Sequence, residues 1–163
     1  MSDELTQDLK AAQKHEELLI FDAFDEATAW KIGQSIRVKA EALGASVAID
    51  IRRGDDCLFF TAMPGTTPAN ADWARRKRNL VNLLQTSSYA NGLLVRLGTI
   101  NPEFMALPMR DYAWAGGCFP IRVAGTGVVG TITVSGLPQR DDHKIVVDAI
   151  SAHLGIDLGE SAF

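Results

Sequence analysis

The chain reads as one α+β domain spanning residues 1–163, with a four- to five-stranded antiparallel sheet covered by helices. Two observations predict it. Hydrophobic periodicity switches between 3.6 and 2 in the order helices, hairpin, helices, hairpin, helix, which is the pattern of helices packed on a hairpin-built sheet. Both β-rich regions are folded back at glycine-containing turns, Gly54-Asp55-Asp56 and Ala124–Gly127. A chain of 163 residues is one ordinary domain in size, and no repeat, linker or low-complexity stretch divides it.

Residues 3–17 place Leu5, Leu9 and Ala12 on one helical face, with Asp3 and Glu4 at the positive helix end. The apolar run 18–21 is too short to assign. Asp25 is a helix N-cap, and Ala29, Ile32, Ile36, Ala40 and Leu43 form the stripe of a helix that Gly44 stops. Ser46–Arg53 alternates as a strand, with Val47, Ile49 and Ile51 on one side and Ala48, Asp50 and Arg52 on the other, and Cys57–Met63 is its return. Thr67-Pro68 opens a helix to about Gln85. Ser87 or Ser88 caps the next, which carries Tyr89, Leu93, Leu94 and Leu97 and ends at Gly98. A short helix follows Pro102 within the irregular stretch 99–115. Phe119–Val123 and Val128–Ser135 are strands. Asp141 or Asp142 caps a last helix, 142–154, stopped by Gly155.

Composition narrows the function. Apolar residues make up 47% and charged residues 22%, a globular balance, and the net charge of −4 opposes general nucleic-acid binding, which needs net basic charge. No apolar run approaches the ~20 residues of a membrane span. The acidic start Met1-Ser2-Asp3-Glu4 is not a signal peptide, so the expected location is the cytoplasm, with Cys57 and Cys118 reduced. The three histidines, His15, His143 and His153, have no metal-ligand spacing to one another or to the cysteines, so no metal site is assigned.

Other signals reduce to structure. Gly125-Thr-Gly127-Val-Val-Gly130 has the glycine spacing of a dinucleotide loop, but a β-branched run follows it where a helix is required, so it reads as a hairpin. The basic run Arg75-Arg76-Lys77-Arg78 steps ~100° per residue around its helix. Its four charges cannot share one ligand; Arg75 and Arg78 share a face, and ion pairs with the excess carboxylates account for the run. His153 suits the negative helix end. His143, near the opposite, positive end of the same helix, is favoured as a neutral imidazole and is the strongest single candidate for chemistry. No serine, histidine and acid set assembles, so no catalytic residue is named.

Three segments taken together carry a family likeness: Asp72-Trp73-Ala-Arg75-Arg76-Lys77-Arg78; Gly116-Gly117-Cys-Phe-Pro120; and Gly127-Val-Val-Gly130-Thr-Ile-Thr-Val-Ser135-Gly136-Leu-Pro138-Gln-Arg-Asp141-Asp142-His143. Val47-Ala-Ile-Asp50-Ile with Gly54 fits the same pattern. From about residue 4 to 155 the chain resembles the haem-degrading domain family, GlcG/HbpS-like, and within it an uncharacterised branch. The resemblance implies an α+β fold, homo-oligomers, and haem binding or degradation in some members.

With that resemblance, the expected site is a pocket for haem or another small anionic ligand, beside Gly116-Gly117 and the Ser135–His143 turn. Glycine permits close backbone approach, the last helix offers free N–H groups, and Lys77 or Arg78 would pair with a carboxylate. The expected ligand-binding residues are therefore Lys77, Arg78, Gly116, Gly117, Ser135 and His143. Two other roles compete with binding. One is enzymic opening of the haem ring; the other is an adaptor role in which Trp73, Trp114 and the arginines form protein–protein contacts.

Overall fold

The computed structural model describes all 163 residues. Five strands form one sheet in the order β1-β4-β5-β2-β3. They are β1 (Ile20–Phe21), β2 (Ala48–Arg53), β3 (Asp56–Ala62), β4 (Cys118–Val123) and β5 (Gly127–Ser135). The sheet is mixed. β2–β3, β2–β5 and β4–β5 are antiparallel, whereas β1 runs parallel to β4, with Ile20 opposite Arg122 and Phe21 opposite Val123. This corrects the purely antiparallel expectation: two residues are enough to dock on an edge and too few to show a period.

The helices are α1 (Ser2–Leu18), α2 (Glu26–Ala42), α3 (Pro68–Leu84), α4 (Ser88–Arg96), the short α5 (Pro102–Met105) and α6 (Gln139–Leu154). Their entrances are built as the sequence directs. Asp25 accepts the Thr28 N–H at 2.8 Å, Asn70 reaches back to the Thr67 N–H at 2.9 Å, and the Ser87 hydroxyl accepts the Ala90 N–H at 3.2 Å. α6 departs from expectation. It starts at Gln139, not 142, with Pro138 in the cap position, so Asp142 lies one turn inside the helix. A 3₁₀ turn, Gly159–Ser161, is the last regular element.

The alternation of β2 and β5 gives the sheet two unlike faces. Val47, Ile49, Ile51, Ile132 and Val134 join α2 and α6 in one apolar core of 22 buried residues. The opposite face carries Asp50, Thr131, Thr133 and Cys118 and is covered by α3, which brings in a lysine, Lys77, only 3% exposed. The Ala124–Gly127 turn joins β4 to β5, so the glycine-spaced motif serves a hairpin. A Cβ at Gly130 would stand 2.0 Å from the Arg52 carbonyl of the neighbouring strand. No helix is long and apolar enough to cross a membrane.

Candidate functional site: a cleft between α3 and the start of α6

Residues 70, 73 and 77 fall on one face of α3, at spacings of three and four. Asn70, Trp73 and Lys77 line one side of a cleft of about 300 Å³. The other side is Ala115 and the β5–α6 turn, with Ser135, Gly136, Leu137, Gln139 and Asp142. Trp73 is 43% exposed, and the Arg76 guanidinium lies 4.3 Å from its ring centroid.

The floor is a buried ion pair. Lys77 Nζ donates to Asp142 Oδ2 at 2.8 Å and to the Val134 carbonyl at 3.1 Å. Asp142 Oδ1 accepts the Leu137 N–H at 3.0 Å, and its Oδ2 is 3.4 Å from the Gly136 N–H. Burial pushes the Asp142 carboxyl above its ordinary range, and the Lys77 charge and those N–H groups bring it part of the way back. The anionic position at this helix entrance is therefore filled by the chain's own carboxylate.

Glycines let the walls close. At Gly117, with φ +129°, a Cβ would lie 2.3 Å from the Val134 carbonyl and 2.8 Å from Lys77 Nζ. At Gly116 it would lie 2.3 Å from the Gln139 carbonyl, and the Gly116 N–H donates to Gln139 Oε1 at 3.2 Å. The 115–117 stretch thus packs directly on the β5–α6 turn.

The six candidate residues divide three ways. Lys77 and Ser135 line the cleft, and Gly116 and Gly117 pack behind it. Arg78 turns away and bonds Asp50, which Arg52 Nε also holds at 3.0 Å. His143 is fully buried and faces α1 and α4 instead of the cleft. Its neutrality follows chiefly from burial, with the neighbouring His15 and Arg140 acting the same way. Of the other basic residues, Arg75 pairs with Asp72 and Asp111, while Arg76 donates to the Met109 carbonyl and pairs with no carboxylate.

Sequence reasoning passed over the surroundings of His143. His15 Nδ1 lies 3.0 Å from His143 Nε2, and Tyr89 lies against the His143 ring with centroids 4.9 Å apart. The Tyr89 hydroxyl donates to Asp8 Oδ2 at 2.6 Å, and Arg140 grips both Asp8 oxygens. Burial alone would raise the Asp8 carboxyl; the Arg140 and Tyr89 hydrogen bonds outweigh it and hold Asp8 low. The available signal was spacing: residues 5, 8, 12 and 15 share one face of α1, so a histidine there faces inward.

Comparison with known proteins adds four findings. The family described as haem degrading protein, HbpS-like, matches residues 24–151. A UPF0303 protein of Azotobacter vinelandii is 48% identical over 159 residues, covering 97% of this chain and 96% of its own. The crystal structure of the Ybr137w protein superposes with a TM-score of 0.81 at 27% identity, over 90% of this chain and 87% of that one. A PduOC:heme complex superposes with a TM-score of 0.67 at 18% identity, over 80% and 94% of the two chains, a likeness of fold.

Proposed function

This chain belongs to the haem-degrading, HbpS-like protein family, and from that membership and the cleft beside Trp73 we propose that it is a ligand-binding module for haem or a similar planar carboxylate. One observation carries the reading: a half-exposed indole stands over a polar floor whose charge is already balanced, in a cavity of about 300 Å³. Such a site suits the face and edge of a flat ring system. Arg76, stacked on Trp73, has no carboxylate within ion-pairing distance and is a partner for an acidic substituent at the rim. Lys77 shapes the floor, its charge being met by Asp142.

The fold family implies haem, and haem iron needs a donor with a free lone pair facing open space. No histidine, cysteine, methionine or tyrosine lines the cleft, and the exposed His153 and Cys57 lie outside its lining. His15 and His143 are fully buried against Phe163 and each other. Cys118 is buried, its thiol pushed up to about 12 by desolvation. The reading is therefore recognition of the ring and its carboxylates, with no step derived through iron. Self-association is its second part: Phe104, 88% exposed, and the neighbouring Met109 offer apolar surface that another copy would cover.

Hemin titration followed at the Soret band, with mass read by light scattering, tests both parts. The expected result is a saturable change in a species larger than one chain, weakened about tenfold by Trp73→Ala, in keeping with loss of one aromatic contact. His143→Gln should leave it unchanged. A flat wild-type titration removes haem as the ligand, and loss of the change in His143→Gln removes the cleft as its seat. A single-chain mass removes self-association.

A further inference from the structure

A second cluster, buried between α6, α1 and α4 and absent from the cleft lining, has no part in ligand binding. His15 of α1 and His143 of α6 are both fully buried, with ring centroids 5.3 Å apart and planes inclined by 27°. His15 Nε2 lies 2.6 Å from the Ser161 carbonyl oxygen, and His15 Nδ1 lies 3.0 Å from His143 Nε2. A carbonyl only accepts, so His15 Nε2 carries the hydrogen. Neutral His15 then presents a bare Nδ1, and His143 Nε2 must donate to it. That leaves His143 Nδ1 with a lone pair, buried and without any hydrogen-bond partner. The hydrogen bond between the rings leaves no buried N–H unmet only when both are neutral. A proton on His15 Nδ1 would meet the His143 N–H, and one on His143 Nδ1 would find no acceptor.

Residues 156–163 cover this pair through apolar and aromatic packing, with few polar contacts to the rest of the chain. Leu158 enters the core, the Phe163 ring meets His15 edge-on at 5.1 Å, and Arg140 lies 4.2 Å above Phe163. The Ser161 carbonyl on His15 is the one hydrogen bond from the segment to α1. Its remaining bonds are local, among residues 157–162 and to Ser151 at the end of α6. His15, Ser161 and Phe163 all lie outside residues 24–151, so the arrangement joins the two stretches that flank the family match.

We propose that residues 156–163 form a proton-released strap: the neutral His15–His143 pair latches it, and protonation frees it to uncover an apolar slot lined by Ala12, Tyr89 and Leu93. The surroundings set the direction. Burial holds both histidines below their ordinary value; around His15, Asp148 of α6 favours the proton and Lys144 opposes it, while Arg140 opposes it at His143. From α1, Asp8 is engaged by Arg140 and by Tyr89 of α4, and Glu16 by the Ser87 N–H, with Arg122 of β4 at 3.9 Å. Glu160 of the strap is exposed. A histidine depressed in the closed form and ordinary in the open form stabilises closure fully above about pH 6.5, and that stabilisation is lost as pH falls below it. The closed-to-open ratio then drops by up to about tenfold per pH unit for each proton taken up.

Amide hydrogen exchange of the full chain at pH 7.5 and 5, corrected for intrinsic rates, with ¹⁵N histidine spectra, tests the latch. At pH 7.5 the spectra should show both rings neutral with hydrogen on Nε2. At pH 5 residues 156–163 should lose protection by tenfold or more while α2 keeps its own. In His15→Gln/His143→Gln, which takes up no proton, the strap should be equally protected at both pH values. Undiminished protection of the wild-type strap at pH 5 overturns the proposal, as does a charged pair at pH 7.5. If the double variant opens with pH as the wild type does, the latch lies elsewhere; if it fails to fold, the wild-type spectra and exchange still decide.

Discussion

At the scale of single residues, Lys77 and Asp142 show how burial changes the worth of a charge. Each would be costly alone in the space between α3 and the sheet, and together they satisfy one another with help from the Val134 carbonyl and the Leu137 N–H. Lys77→Met should therefore destabilise the fold by about 3–5 kcal/mol, because it strands a buried carboxylate. Lys77→Met/Asp142→Leu should recover much of that loss. Urea unfolding of the two variants checks the pair, and a double variant no more stable than the single one would show that Asp142 contributes as much through the Leu137 N–H as it costs by burial. Gly117 belongs to the same unit. Any side chain there meets the Val134 carbonyl and the Lys77 ammonium, and its φ of +129° suits glycine.

At the scale of elements, α4 acts as a plug for a sheet edge. β1 pairs only with Arg122 and Val123, which leaves the first part of β4 without a strand beside it. Ser88 takes that place: its hydroxyl accepts the Cys118 N–H at 3.0 Å. Two residues along, Pro120 points its nitrogen to the same side, so its missing N–H removes no bond to β5. Ser88→Ala should cost about 1–3 kcal/mol by leaving a buried N–H unmet, read as a lowered urea midpoint; an unchanged midpoint would mean that water takes over the role. Much of this level was legible in advance. The Asp25, Thr67 and Ser87 entrances and both hairpins follow from local chemistry that acts over three or four residues. β1 was not legible, because its partner lies about 100 residues away. Nor was the start of α6, where Pro138 opens the helix and the apparent caps Asp141 and Asp142 fall inside it. Of the candidate site, the approach of Gly116-Gly117 to the β5–α6 turn was expected through the family resemblance, glycine's tolerance of close backbone approach being its physical reason. The turning away of Arg78 toward Asp50 and of His143 toward His15 could not, since both partners are set by tertiary packing.

At the scale of the whole molecule, the sheet sits between unequal neighbours. α2 and α6 meet it through a continuous hydrocarbon layer, while α3 meets it through Ala74, Leu80 and Val81 interspersed with Lys77 and Arg78. Lifting α3 would return two cations and two carboxylates to water, which rewards their hydration, whereas lifting α6 would expose oil. Breathing of the native state should accordingly begin on the charged side, with α3 amides trading deuterium sooner than those of α2 under conditions where the fold stays intact. Uniform exchange across the two helices would contradict this. The molecule would then have one hinge-like panel, and the indole of Trp73 would ride on it as a reporter of each excursion.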